Sequence, residues 1–165
     1  MEQLNIALKE WACVVLALER GHQSVIFRKG GIVEPRGDFR LEHRRFLLYP
    51  TFEHQKPELL KPEFLPLLQE SVAWHCNNVV RVTCWAEVSE ARVVTSLQDA
   101  AAYSSRHIWN QEFVEMRLAY KPDKPLWVVT LNVHLLPRAI EFVETTDYSG
   151  CKSWVTLDQP LNIGL

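Results

Sequence analysis

The sequence predicts a single α+β domain over residues 1–165, a mixed, curled sheet or small β-barrel with flanking helices. Three observations carry this expectation. Stretches rich in β-branched residues are interspersed with stretches of three- and four-residue apolar spacing, and they never settle into regular strand–helix–strand units. The strands divide into an early pair and a later group, an order that can curl on itself. A chain of 165 residues, 47% hydrophobic, can also bury a core without disulfide or metal staples.

Each element follows from local pattern. Leu4, Leu8, Trp11, Val15 and Leu18 recur at helical steps, which predicts a helix from Leu4 to Arg20 with Gly21 as its stop. Ser24–Arg28 reads as a strand, ended by Gly30-Gly31 and followed by a polar loop through Pro35–Asp38. Phe46–Tyr49 is a short strand that Pro50 is expected to stop. Pro57, Pro62 and Pro66 break the next stretch and leave room for one short helix from Pro66 to Cys76. Val79–Val94 is β-branched and reads as a strand with a bend near Ser89-Glu90. Leu97–Tyr103 is a short helix capped by Ser96, and Trp109–Leu118 is a second, ended by the turn Lys121-Pro122-Asp123-Lys124-Pro125. Leu126–Leu136 is a strong strand with Trp127, Val129, Leu131 and Val133 on one face, expected to end at Pro137. Lys152–Leu157 is the last strand.

Composition excludes several classes. Eighteen basic and 20 acidic residues leave a net charge of −2, so the chain is not coated in positive charge. No run of about 18 apolar residues occurs, so no membrane-spanning helix is expected. The start Met1–Asn5 lacks the basic region of a signal peptide, which predicts a cytoplasmic protein. Cys13, Cys76, Cys84 and Cys151 form no C-x-x-C pair. They are expected to be reduced, with neither a disulfide nor a structural zinc. Neither a phosphate loop nor a G-x-G-x-x-G fingerprint occurs, and no cofactor is expected.

Charge is uneven along the chain. Between Arg20 and Arg45 lie seven basic residues against Glu34, Asp38 and Glu42, a surplus of four that leaves the remainder at −6. A positive segment on an acidic protein can hold a phosphate backbone against one face, and the glycine pair allows close backbone approach. Arg28, Lys29, Arg44 and Arg45 are the expected phosphate contacts, with RNA or DNA as the partner. Trp109, after Arg106-His107, is the expected stacking surface, whereas Trp127 is expected in the core. A solvated loop, or a protein partner in a larger complex, would account for the same charges.

A second constellation is the pair Glu42-His43 and Glu53-His54, which flank a short strand and its turn. If the turn folds back, two imidazoles and two carboxylates converge and could run acid–base chemistry or hold a divalent ion. Their spacing matches no specific metal motif. The Glu-x-Lys of divided-carboxylate nucleases is absent from the chain. Cys76 follows His75, but neighbours along a chain point apart, so that pair forms no nucleophile–base unit by itself.

Several blocks carry a family resemblance. They are Ala7–Ala12, Arg28–Ile32, Glu42-His43, Phe46–Thr51, Glu53–Gln55, His107–Trp109, Glu112–Val114 and Gly150–Val155. Together they resemble the bacterial family called domain of unknown function 1802. That resemblance implies an uncharacterised protein, and an association with restriction–modification systems; a hydrolase or nuclease acting on nucleic acid is the enzyme this would suggest. Gly21 through Arg28 is also similar to the G-x-K-x-x-E-x-R signature of ASCH domains, relatives of PUA-like RNA-binding barrels. Gly21 and Arg28 match, Gln23 stands where the signature has lysine, and Ile26 stands where it has glutamate. This likeness implies a PUA-like fold, and the two departures argue against the hydrolysis that some ASCH proteins perform with that lysine and glutamate.

Overall fold

A computed structural model describes residues 2–29, 43–150 and 152–164. Its six described strands form one mixed sheet that is not closed, flanked by helices. The strands are β1 (Gln3–Trp11), β2 (Val25–Lys29), β3 (Arg45–Thr51), β4 (Val79–Val94), β5 (Leu126–Val143) and β6 (Trp154–Asn162). Their order across the sheet is β2-β5-β4-β3-β1-β6, with β1 and β3 parallel and the other neighbours antiparallel. The helices are α1 (Ala12–Glu19), α2 (Leu65–Trp74), α3 (Leu97–Ala101) and α4 (Gln111–Ala119).

The first segment differs from expectation. Residues 3–11 are a strand, and the helix begins only at Ala12. β1 is paired on both edges, by β3 and β6, and each of its faces packs into a core, so Leu8 on one face and Ala7 on the other are alike buried. A strand buried on both faces loses the two-residue alternation that separates it from a helix. α1 is buried along Ala12–Leu18, then closes with Gly21 at φ +78°. His22 N donates to Ala17 O at 2.8 Å and Gly21 N to Leu18 O at 3.3 Å, the paired bonds of a glycine-closed helix end.

Neither proline stops its strand. Pro50 lies beyond Leu47, the last β3 residue paired with β4, so β3 is bonded there on one side only, where a missing N–H is tolerated. Pro137 sits where the β4–β5 register jumps from Cys84↔Leu135 to Val82↔Ile140, an irregularity that absorbs it. The expected bend at Ser89-Glu90 is a second register shift in the same ladder. Ser96 caps α3 by accepting from Asp99 N at 3.1 Å, and Asn110 caps α4 by accepting from Phe113 N at 3.1 Å.

Side-chain alternation builds two cores. Leu8, Phe46, Leu48, Cys84 and Ala86 face the helices, together with Val14, Ile108 and Trp109. Ala7, Leu47, Tyr49, Trp85 and Val155 occupy the opposite face. Cys13 and Cys84 are free and buried, and burial pushes both thiols up to about 12. Cys76 is free and exposed. Among the described residues no helix is long and apolar enough to cross a membrane.

Candidate nucleic-acid interface

The end of β2 carries Arg28 and Lys29. Arg28 Nη2 donates to Lys9 O at 2.6 Å and to Glu10 Oε2 at 2.9 Å, both on β1. In a flat sheet β2 and β1 would be separated by four strand spacings, about 19 Å. A single side chain spans them here because the sheet curls, and Arg28 bridges the gap between its margins. The carboxylate that meets Arg28 therefore comes from β1, and Ile26 is fully buried in the core. Gln23 is buried too. Its Nε2 donates to Val25 O at 2.8 Å and its Oε1 accepts from Ile108 N at 3.2 Å.

The same gap is flanked by the last turn of α4. Lys29 Nζ donates to Leu118 O at 2.8 Å and Lys121 O at 3.2 Å, satisfying carbonyls at the helix end and tying α4 to β2. Arg117 projects from that turn. Burial first, and then the positive charge of Arg28, lowers its pKa, while Glu10 acts in the opposite direction. Lys29 is likewise lowered, by desolvation and then by Arg117. A guanidinium keeps its proton under such pressure, so the place is positive and favours an anion. Tyr120, 51% exposed, lies between two cations: Arg117 Cζ is 5.4 Å and Lys121 Nζ 5.2 Å from its ring centre. Arg117 and Lys121 thus flank one exposed aromatic ring, with Lys29 bonded to the same helix end and Arg28 near Arg117 but paired with Glu10.

The structure places the other expected site residues apart from this patch. Arg44 is exposed. Arg45 is paired with Glu2 at 2.6 Å and Glu87 at 3.2 Å, so its charge is already met. Trp109 is not a surface platform. It is 1% exposed and stacks on Phe113 at 4.3 Å, inside a ring cluster with Trp11, Phe27 and His107, because the strand-like segment before α4 turns it into the core. Trp127 is partly buried and packs against the same core. His43 meets the edge of Trp154 at 4.8 Å, and His54 is exposed. They lie at opposite ends of β3, whose seven residues extend about 20 Å, so the turn does not fold one onto the other. Glu53 is exposed beyond β3. Glu42, Gly30, Gly31 and Cys151 lie outside the described residues. Among the described residues no three His, Cys, Asp or Glu side chains converge to hold a metal.

Arg117, Tyr120, Lys121 and Glu10 escape the reading of the sequence. A signal exists for the first three: a basic residue in a last helical turn with an aromatic three positions on, beside a lysine-rich turn. That stretch reads equally well as an ordinary helix stop.

The open mixed sheet with flanking helices is the ASCH fold. A mutant form of ZmASCH from Zymomonas mobilis, serine to alanine, superposes with a TM-score of 0.54 at 12% identity, covering 93% of this chain and 88% of that one. A tyrosine-to-phenylalanine form of the same protein gives 0.49 at 13% identity, covering 93% and 90%. The chain belongs to the family described as Domain of unknown function (DUF1802), whose model matches residues 7–164. No curated protein matches it.

Proposed function

We propose that this protein binds a nucleic-acid strand through its phosphates, in a reducing, cytoplasmic setting. The observation that carries this is that Arg117 and Lys121 both approach exposed Tyr120, beside Lys29, whose ammonium is bonded to carbonyls of the same helix end. Like charges repel, so a fold that holds them together is best satisfied by an anion with several charges. Tyr120 adds a flat face on which a base can stack, worth about 1–3 kcal/mol. Arg28 serves mainly to hold the patch, since its guanidinium is engaged by Glu10 and the Lys9 carbonyl.

The test is fluorescence anisotropy with short labelled single strands of RNA and of DNA at low salt, where screening is weakest. The double variant Arg117→Ala, Lys121→Ala is expected to weaken binding of all sequences alike. It should also flatten the salt dependence by about 0.7 per lost phosphate contact. Absence of binding by the unmodified protein at low salt would overturn the proposal. The rival enzyme, a hydrolase centred on Glu42, His43, Glu53 and His54, is read out in the same series. The double variant His43→Ala, His54→Ala is expected to leave affinity intact, and it would abolish turnover only if that rival were correct.

A further inference from the structure

Two cations at the end of α4 lack an anionic partner. Among the described residues, neither the Arg117 guanidinium nor the Lys121 ammonium takes part in a hydrogen bond or an ion pair. Each approaches the Tyr120 ring instead, at 5.4 and 5.2 Å from its centre. The charges beside them are already met. Arg28 is paired with Glu10. The Lys29 ammonium is bonded to the Leu118 and Lys121 carbonyls, and Asp123 acts on it from the turn. Two positive charges are therefore left over at one place. Arg117 is also half-buried, so its guanidinium has given up part of its hydration with no protein acceptor in return.

The backbone at Lys121 points the same way. It is left-handed, φ +44°, where glycine or asparagine ordinarily follows a helix, because the Cβ of any larger residue crowds its own carbonyl. The Lys121 carbonyl is fixed in this position by Lys29 Nζ at 3.2 Å and by Lys124 N at 2.9 Å. Strain kept at an exposed position is explained by what its side chain does. Two unshared positive charges beside one ring match a compact group with two negative charges. An internal phosphodiester carries one, whereas a phosphate monoester carries about 1.5–2 near pH 7. We propose that this site takes the phosphorylated end of a nucleotide, with the monoester held between Arg117 and Lys121 beside Tyr120. This rests on the reading of the patch as a nucleic-acid interface. The same group occurs at the end of a strand and on a free mononucleotide.

The experiment titrates the full chain with one internally labelled single strand in four forms: 5′-phosphate, 3′-phosphate, both ends hydroxyl, and the terminal phosphate capped as its methyl ester. A phosphorylated end is expected to bind at least about tenfold more tightly than the hydroxyl-ended strand at the same salt, and the methyl ester to lose most of that gain. Arg117→Ala is expected to remove the preference. Lys121→Gly should remove it too, without lowering the melting temperature, because glycine relieves the left-handed backbone. Arg81→Ala, at the far end of β4, should retain it. A second arm compares adenosine 5′-monophosphate with adenosine by ligand-observed NMR. Monophosphate binding as tight as the strand end assigns the site to free nucleotides, and much weaker binding assigns it to strand ends. Equal binding of phosphorylated and hydroxyl-ended strands would overturn this proposal and leave the nucleic-acid reading standing. If no strand binds, that reading fails, and this proposal survives only if the monophosphate binds in preference to adenosine.

Discussion

His107 shows how one side chain ties the core to pH. Its ring is 3% exposed and packs edge-on against Phe27 at 5.1 Å, and its Nδ1 has no hydrogen-bond partner among the described residues. Burial first, and then the charge of nearby Lys61, lowers its pKa from 6.5 to about 4. The folded protein therefore keeps the ring neutral where the unfolded chain would protonate it. Stability from this residue is full above about pH 6.5, is lost as the pH falls from 6.5 toward 4, and levels off below. A shift of that size corresponds to about 3 kcal/mol. Urea unfolding at pH 7.5 and at pH 4.5 is expected to show this loss, and His107→Leu is expected to remove about that much of the difference. An identical pH dependence in both proteins would show that the ring is not held neutral.

At the scale of elements, the junction β1–α1–β2 decides how the chain enters the fold. A buried strand runs without a loop into a buried helix, which then reverses through Gly21 into the turn before β2. The left-handed conformation at Gly21 costs an L-residue about 1–2 kcal/mol, although nothing lies within 4 Å of where a Cβ would stand. Gly21→Ala is thus expected to destabilise by about 1 kcal/mol through backbone strain alone, whereas Gly21→Asn, a residue that tolerates this conformation, should cost less. Thermal melts of the two variants check the order; equal losses would point to packing instead.

For the molecule as a whole, curvature of the sheet is the feature on which the rest depends. Arg28 joins β2 to β1 across the open side, and the Arg28–Glu10 pair is only 16% and 5% exposed in its two side chains. Removing one partner of such a pair strands the other charge, at a cost of about 3–5 kcal/mol. Arg28→Ala and Glu10→Ala are each expected to lower unfolding stability by that order. The double variant should lose less than the sum, because neither charge is then left alone. Both bonds come from the single nitrogen Nη2, so Arg28→Lys should recover part of the loss, an ammonium being able to donate to Glu10 and to the Lys9 carbonyl alike. Additive losses in this cycle, measured by denaturant unfolding, would mean that the two residues act separately.

Local pattern alone determined much of this protein. The α+β class, the strands at Ser24–Arg28, Val79–Val94 and Leu126–Leu136, the bend at Ser89 and the Ser96 cap follow from turn chemistry, alternation and capping, which act over a few residues and are written in neighbouring side chains. Long-range arrangement decided the rest. Residues 3–11 are a strand because β3 and β6 pair with both their edges while a core covers each face. Pro50 and Pro137 lie inside strands because the ladders beside them are one-sided or irregular. Trp109 is core because Phe113, Trp11 and Phe27 converge on it. The cation patch required the sheet to curl until Arg28 met Glu10 and the end of α4 met Lys29. Residues some 90 positions apart became neighbours through hydrogen bonds such as Lys29 to Leu118, and spacing along a chain carries no trace of such a contact.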